Sequence, residues 1–137
     1  MEAVKITIQA TVQAPAEKVW AYYTQPEHIT NWNFASDDWQ CPWATNDMRI
    51  GGRYVARMEA KDGSFGFDLE AVYESIEPGK SFIYSMGGRK VEVQFSALET
   101  GTQVIITFDA ETENSVELQR AGWQSILDNF KRYTEGC

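Results

Sequence analysis

The sequence predicts an α+β domain in which a curved antiparallel sheet of about six to seven strands surrounds one long C-terminal helix. Two short helices are expected after the first strand. Three observations support this fold: apolar and polar residues alternate near the N-terminus, hairpin-like turns divide the middle of the chain, and apolar residues recur at helical spacing near the C-terminus. Strands joined by hairpins are antiparallel, so the long helix is left to cover one face of the sheet.

The first third of the chain predicts one strand followed by two short helices. The strand is expected over residues 4–12, where a period of two places one set of side chains toward a core: Val4, Ile6, Ile8, Ala10 and Val12. Pro15 is tolerated at the start of a helix, and Pro26 ends that helix and can start another over residues 27–31. The apolar side of the first helix is expected to consist of Val19, Trp20, Tyr22 and Tyr23.

Residues 53–111 read as a series of strands that are separated by turn sequences. The turns are Asp62-Gly63, Glu77-Pro78-Gly79-Lys80, Gly87-Gly88 and Glu99-Thr100-Gly101-Thr102. Alternation within each strand predicts which side chains share a face. The sets are Tyr54, Ala56 and Met58; Phe65, Phe67, Leu69 and Tyr73; Phe82, Tyr84 and Met86; Val91, Val93 and Phe95; Val104, Ile106 and Phe108.

The last element is a long helix with a recognisable start. Asn114 is expected to be its N-cap, and Glu117 follows three residues later in a variant of the capping box. A stripe at helical spacing should pack against the sheet, and it consists of Val116, Trp123, Ile126, Leu127, Phe130 and Tyr133.

Length, charge and cysteine content limit the classes of protein to which this chain can belong. The 137 residues are expected to form one domain spanning residues 1–137, and the net charge of −8 with scattered basic residues argues against nucleic acid and anionic membranes as partners. The first residues, Met-Glu-Ala-Val-Lys, do not resemble a secretory signal, and no stretch is long enough to cross a bilayer, so a cytoplasmic location is expected. Cys41 and Cys137 match no disulfide or metal spacing and are expected to be free thiols.

No motif in the sequence indicates catalysis, and neither a cofactor nor a metal is expected. His28 is the only histidine, and no G-x-S-x-G sequence accompanies it, so a serine-histidine-aspartate triad is not indicated. Asp37 and Asp38 are expected to be solvated or to cap a helix, although paired acids beside an apolar pocket can act as a tuned base. The glycine pairs lack the spacing of phosphate-binding loops.

The segment Asn31–Asp47, NWNFASDDWQCPWATND, contains three of the chain's five tryptophans but no regular hydrophobic period. Its aromatic residues, Trp32, Phe34, Trp39 and Trp43, need apolar surface to lie against. They can cover a pocket as a lid, or they can fill a core that the sheet and one helix leave open. The sequence leaves both alternatives open.

Arg120 and Gln119 are the polar residues of interest in the long helix. Arg120 lies three residues before Trp123 and four after Val116, which places it within the apolar stripe. Its side chain can extend along the helix to reach solvent, or its guanidinium can hold the acidic head of a ligand, with Gln119 sharing that role.

The layout and four segments resemble the START-like helix-grip superfamily. These segments are Arg49–Tyr54, Met58–Asp68, Tyr73–Tyr84 and Gln119–Phe130, the last with the pair Gly122 and Trp123. Within the SRPBCC class, the whole chain is similar to the group described as activator of heat-shock-protein ATPase homologues (AHSA). The resemblance implies a helix-grip fold with a hydrophobic cavity between the long helix and the sheet, with the tryptophan segment near its mouth.

From this resemblance we expect a domain that binds a hydrophobic small molecule or associates with a chaperone, as in a stress response. The alternative is a small polyketide-type cyclase or hydrolase that acts in the same cavity, and the domain is expected to be a monomer or a homodimer. No catalytic residue is assigned. The residues expected to line the cavity or its lid are Trp32, Phe34, Trp39, Trp43, Met58, Phe67, Tyr84, Phe95, Gln119, Arg120 and Trp123.

Overall fold

The computed structural model describes residues 4–136 and contains eight strands and three helices in this part of the chain. Cys137, expected to be a free thiol, lies outside the described residues. The elements in chain order are β1 Lys5–Val12, α1 Ala16–Thr24, α2 Pro26–Ile29, β2 Trp39–Gln40, β3 Ala44–Asn46, β4 Arg53–Ala60, β5 Gly66–Glu77, β6 Ser81–Met86, β7 Arg89–Leu98, β8 Gly101–Asp109 and α3 Val116–Gly136.

All strand pairs are antiparallel, and they form one sheet in the order β1-β8-β7-β6-β5-β4-β2, with β3 also paired to β4. The predicted α+β helix-grip fold is confirmed. The strands β4 to β8 follow one another through hairpins, whereas β1 returns to the far edge and pairs with β8, where Ile8 lies opposite Ile106. The first strand is therefore paired with the last strand, although most of the chain lies between them in sequence.

Alternation along the strands correctly predicts most of the core. The proposed sets on β4, β6, β7 and β8 are all buried, and so are Ile6, Ile8 and Val12 on β1. Val4 and Phe65 are exceptions, because they are 57% and 60% exposed and precede the paired residues of β1 and β5. Phe67 is 42% exposed although it shares a face with the buried Tyr73. It packs instead with Trp39 and Phe65 in a partly exposed aromatic cluster, where the ring centroids lie 6.0 to 6.4 Å apart.

Helix α3 buries its apolar stripe against the sheet, as predicted. Leu127 and Phe130 are buried, and the half-buried Trp123 stacks on Phe108 of β8 with ring centroids 4.0 Å apart. Polar contacts align the helix with β1, because Gln124 Nε2 donates to the Gln9 carbonyl at 3.2 Å.

The predicted N-cap of this helix is wrong by one residue. The Leu118 N–H donates to the Ser115 hydroxyl at 3.1 Å, so Ser115 caps α3. Asn114 is engaged elsewhere, because both its N–H and its side-chain amide donate to the Glu111 carboxylate. A serine and an asparagine next to each other are equally good caps by type, and the local loop decides between them.

The tryptophan segment Asn31–Asp47 contains two short strands that its sequence did not predict. Trp39 pairs with Ala60 and Asn46 pairs with Tyr54, so β2 and β3 extend the sheet along β4. Ladder hydrogen bonds therefore hold these two stretches of the segment to the sheet. Among residues 4–136, no helix combines the length and the apolar character needed to span a bilayer.

Candidate functional site

A cavity of about 180 Å³ lies between α3 and the sheet, and we call it the main cavity. The elements that enclose it are those whose apolar faces meet in the core, and no charged side chain is among its lining residues. The lining consists of Tyr23, Trp32, Asn33, Tyr54, Met58, Phe67, Leu69, Tyr84, Ile106, Trp123, Ile126 and Leu127.

Three tyrosines form the polar part of the main cavity. Tyr84 on β6 and Tyr54 on β4 have ring centroids 5.7 Å apart, and Tyr23 approaches from α1. Burial raises the pKa of each phenol well above its ordinary value, and the neighbouring Tyr84 raises the pKa of Tyr23 and Tyr54 further. All three are therefore neutral at physiological pH and can donate hydrogen bonds.

The tryptophan segment supplies one wall of the main cavity. Trp32 is 3% exposed, and its indole Nε1 donates to the Tyr22 carbonyl at 2.9 Å, so its ring is fixed against α1. The next residue, Asn33, donates from Nδ2 to the Tyr54 hydroxyl oxygen at 3.0 Å. Asn129 of α3 holds the segment from the other side through a 2.9 Å bond to the Phe34 carbonyl. The beginning of the segment is thus core structure.

A second cavity of about 150 Å³, the outer cavity, adjoins the main one. The two share Met58, Phe67 and Ile126 as lining residues, so these three side chains stand between them. The outer cavity is completed by residues of the tryptophan segment, namely Ala35, Ser36 and Trp39. The partly exposed aromatic cluster of Trp39, Phe65 and Phe67 therefore lies at the outer end of this apolar space.

The structure brings together part of the predicted site. Trp32, Met58, Phe67, Tyr84 and Trp123 line the main cavity, and Trp39 lines the outer one. The remaining predicted residues line neither cavity: Phe34, Trp43, Phe95, Gln119 and Arg120. Trp43 is 45% exposed, and Phe95 is buried in the core beside Trp20.

Arg120 is exposed, which agrees with the alternative in which its side chain reaches solvent. The neighbouring Leu118 is also 61% exposed, whereas Val116 of the stripe is partly buried against the core. Gln119 is buried, but its amide is engaged by the preceding loop. Its Oε1 accepts from the Glu111 N–H at 2.8 Å, and its Nε2 donates to the Asn114 carbonyl at 2.9 Å.

The candidate acids and the histidine lie away from the main cavity. Asp37 and Asp38 are exposed, and Asp38 accepts a 2.5 Å hydrogen bond from the Ser36 hydroxyl. The ring of His28 stacks on Tyr22 at 3.8 Å, and its Nδ1 is hydrogen-bonded to the Tyr133 hydroxyl at 2.7 Å, which ties α2 to α1 and α3. Within residues 4–136, no three His, Cys, Asp or Glu side chains are placed to hold a metal ion.

Several lining residues were predicted only as core, or not at all. Tyr23, Tyr54, Leu69, Ile106, Ile126 and Leu127 belong to apolar faces that the periodicity identifies. Periodicity does not separate a side chain that is packed on all sides from one that borders a cavity. Asn33 was missed altogether, although a polar residue between two aromatic residues, Trp32 and Phe34, is a signal that could have been used.

Comparison with known proteins gives a consistent result over nearly the whole chain. A family model described as "Activator of Hsp90 ATPase homolog 1-like protein" matches residues 13–135. The solution structure of an AHSA1-like protein from Aeromonas hydrophila is 44% identical, covers 97% of this chain and 93% of its own, and superposes with a TM-score of 0.92. A protein from Cytophaga hutchinsonii is also 44% identical, with 96% and 92% of the two chains covered and a TM-score of 0.83.

A more distant structure shares the fold alone. A protein from Nitrosomonas europaea is 15% identical, covers 97% of this chain and 95% of its own, and superposes with a TM-score of 0.85. No curated protein sequence matches this chain significantly.

Proposed function

Because this chain belongs to the family of Activator of Hsp90 ATPase homolog 1-like proteins, which defines its fold but not its activity, we propose a function from its site. The domain binds a small apolar molecule in the main cavity between α3 and the sheet. Apolar cavities with a few convergent polar groups are the usual form of small-molecule sites.

The observation that supports this proposal is the size and chemistry of the main cavity. It measures about 180 Å³ and its lining combines aromatic and aliphatic side chains with three phenols and one amide. An apolar cavity of about 150 Å³ in a protein core is large enough to hold benzene. A molecule of one ring therefore fits the main cavity, and a longer one would extend past Met58 and Phe67 into the outer cavity.

The same cavity disfavours the alternative of a cyclase or hydrolase. General acid–base catalysis needs a group whose pKa lies near the working pH. The only titratable groups in the lining are Tyr23, Tyr54 and Tyr84, and burial raises the pKa of all three away from neutrality. Binding without chemistry is the function that these residues favour.

Association with a chaperone, the other role expected from the sequence, would use a different part of the protein. It needs accessible surface, such as the aromatic cluster of Trp39, Phe65 and Phe67, of which Phe65 is 60% exposed. The two roles are therefore separable by mutation.

Toluene titration followed by NMR tests binding in the main cavity. We expect saturable shifts confined to the lining residues, including the indole N–H signals of Trp32 and Trp123, together with a thermal midpoint that rises with toluene concentration. Ile126→Phe should fill the space and reduce these shifts, because Ile126 lines both cavities.

Leu118→Phe is the matched control, since Leu118 lies on the same helix but is 61% exposed. It should leave the response to toluene unchanged. If no lining residue responds to toluene or to other single-ring hydrocarbons, the cavity is not a binding site and the proposal is wrong.

A further inference from the structure

Three buried tyrosines, Tyr54, Tyr73 and Tyr84, and the partly buried Tyr23 come together in this protein, and their hydroxyl groups differ in how they are paired. Tyr84 is central, because its ring centroid lies 5.7 Å from that of Tyr54, 5.7 Å from that of Tyr73 and 5.5 Å from that of Phe82. It is 6% exposed and is fixed by these rings in one orientation. A rigid phenol at the wall of a cavity is suited to recognise one position on a ligand.

Two of the four hydroxyls are paired within the protein. The Tyr73 hydroxyl donates to Asn46 Oδ1 at 2.7 Å, and Tyr73 does not line the main cavity. The Tyr54 hydroxyl oxygen accepts a 3.0 Å hydrogen bond from Asn33 Nδ2. These pairs hold β5 and β4 to the tryptophan segment, which follows α2.

The other two hydroxyls are unpaired within the described part of the chain. Neither Tyr84 nor Tyr23 has a hydrogen-bond partner among residues 4–136, although both line the main cavity. Within residues 4–136, the only buried side-chain polar atom that lacks a partner is the Thr134 hydroxyl, so the hydroxyls of Tyr84 and Tyr23 keep accessible surface although both residues line the main cavity. Each can therefore donate a hydrogen bond to a molecule in that cavity. Phenylalanine would fill the same wall but would offer no donor to a ligand.

We propose that the ligand of the main cavity is a neutral, mainly apolar molecule with one carbonyl-type oxygen, which accepts hydrogen bonds from the hydroxyls of Tyr84 and Tyr23. This inference rests on the proposed binding function and specifies the class of molecule bound. A carbonyl oxygen has two lone pairs, so it can accept from both phenols at once.

The ligand is neutral because no side chain that lines the main cavity carries a charge that could balance a charge on the ligand. No lysine, arginine or histidine is among the lining residues, and Arg120, the candidate partner for an acidic ligand, is exposed. A carboxylate buried among aromatic and aliphatic side chains would lose its hydration without gaining a counter-ion. An acidic ligand is therefore excluded from the proposed class.

Three probes of nearly equal size test this inference. Acetophenone carries a carbonyl group, α-methylstyrene replaces the carbonyl oxygen by a methylene carbon, and benzoate replaces the methyl ketone by a carboxylate. Binding of each to the wild-type protein is measured by NMR titration of the lining residues. We expect acetophenone to bind, α-methylstyrene to bind, and benzoate to give no saturable shift in the main cavity.

Tyr84→Phe and Tyr23→Phe remove the two unpaired hydroxyls and keep the rings. Each should reduce the affinity for acetophenone relative to α-methylstyrene by roughly twofold to tenfold, which is the effect of one hydrogen bond. The ratio of the two affinities is compared between each variant and the wild-type protein. The difference in hydration between the ketone and the hydrocarbon is the same in both and therefore cancels. Thermal midpoints should stay the same or rise, because no hydrogen bond within the protein is lost.

Tyr73→Phe is the matched control, because it removes a hydroxyl from the same cluster but outside the main cavity. It should lower the thermal midpoint, since Asn46 loses its donor, and leave the ratio of affinities unchanged. This pattern separates recognition of the ligand from a general role of the cluster in stability.

The outcomes distinguish binding in the main cavity from recognition of a carbonyl oxygen by the two hydroxyls. If the wild-type protein binds neither acetophenone nor α-methylstyrene, the proposed function is wrong, and this inference is wrong with it. If it binds both and the ratio is the same in Tyr84→Phe and Tyr23→Phe, the cavity binds ligands but the hydroxyls do not select them. Binding of benzoate as tight as that of acetophenone overturns the neutral class.

Discussion

Asn46 shows how one residue can connect several elements of this fold. It lies on β3, where its Oδ1 accepts from the Tyr73 hydroxyl of β5 at 2.7 Å. Its Nδ2 donates at 2.6 Å to the carbonyl of Thr24, the last residue of α1, whose carbonyl has no partner within the helix. The amide therefore joins the end of α1 to two strands.

Replacement of Asn46 by alanine should lower the free energy of unfolding by about 1–3 kcal/mol, because it leaves the Tyr73 hydroxyl and the Thr24 carbonyl without partners. Urea unfolding measures the effect. Thr45→Ala on the same strand is the control, and it should change stability by at most about 0.5 kcal/mol, since Thr45 is exposed. Equal effects of the two substitutions would show that Asn46 has no linking role.

At the scale of elements, the tryptophan segment is neither wholly lid nor wholly core. Trp32 is a fixed wall of the main cavity, Trp43 is largely outside the cavities, and Trp39 lies on the short strand β2 beside the outer cavity. Only two residues of β2 pair with β4, so this strand opens more easily than the long hairpins. A lid role is therefore left to Trp39.

Trp39→Ala should speed the exchange of bound toluene and weaken binding only slightly, because Trp39 borders the outer cavity and not the main one. NMR exchange measurements on the lining residues give the rate. Trp43→Ala is the control and should leave the rate unchanged. If the two variants exchange ligand at the wild-type rate, Trp39 does not close the cavity.

One buried thiol and four tyrosine hydroxyls make the stability of the whole protein decrease at alkaline pH. Burial raises the pKa of Cys41 from 9.0 to about 11, and it raises the pKa of Tyr23, Tyr54, Tyr73 and Tyr84 above their ordinary value near 10. The unfolded chain releases these protons at lower pH than the native protein does. Above pH 9 the unfolded state therefore binds fewer protons, and stability falls as pH rises.

We expect the free energy of unfolding to decrease between pH 9 and pH 11, first through the Cys41 thiol and then, above about pH 10, also through the phenols. Urea unfolding at a series of pH values measures this slope. Cys41→Ala should be flatter between pH 8 and pH 10, because the thiol is gone, and should still lose stability above pH 10. A wild-type stability that is constant up to pH 11 would contradict the burial of these groups.

The fold could be predicted because its information is local and repeated. Alternation along β4, β6, β7 and β8 and the stripe of α3 identify the inward faces, and hairpin turns set the order of the strands. Elements with few residues carry too little of this pattern, and for that reason β2 and β3 were missed. The N-cap of α3 was predicted at Asn114, one residue before Ser115, because both residues suit that position by type.

The sheet, the long helix and the apolar faces between them can be predicted from the sequence, because they follow from periods of 2 and 3.6 residues. Which inward residues border a cavity cannot be predicted in this way, because it depends on how closely three separate elements approach one another. Tyr84 and Phe95 have the same inward pattern, yet Tyr84 lines the main cavity and Phe95 is packed beside Trp20. The exposure of Arg120 also depends on packing, because helical spacing gives the direction of a side chain around α3 but not whether another element covers it.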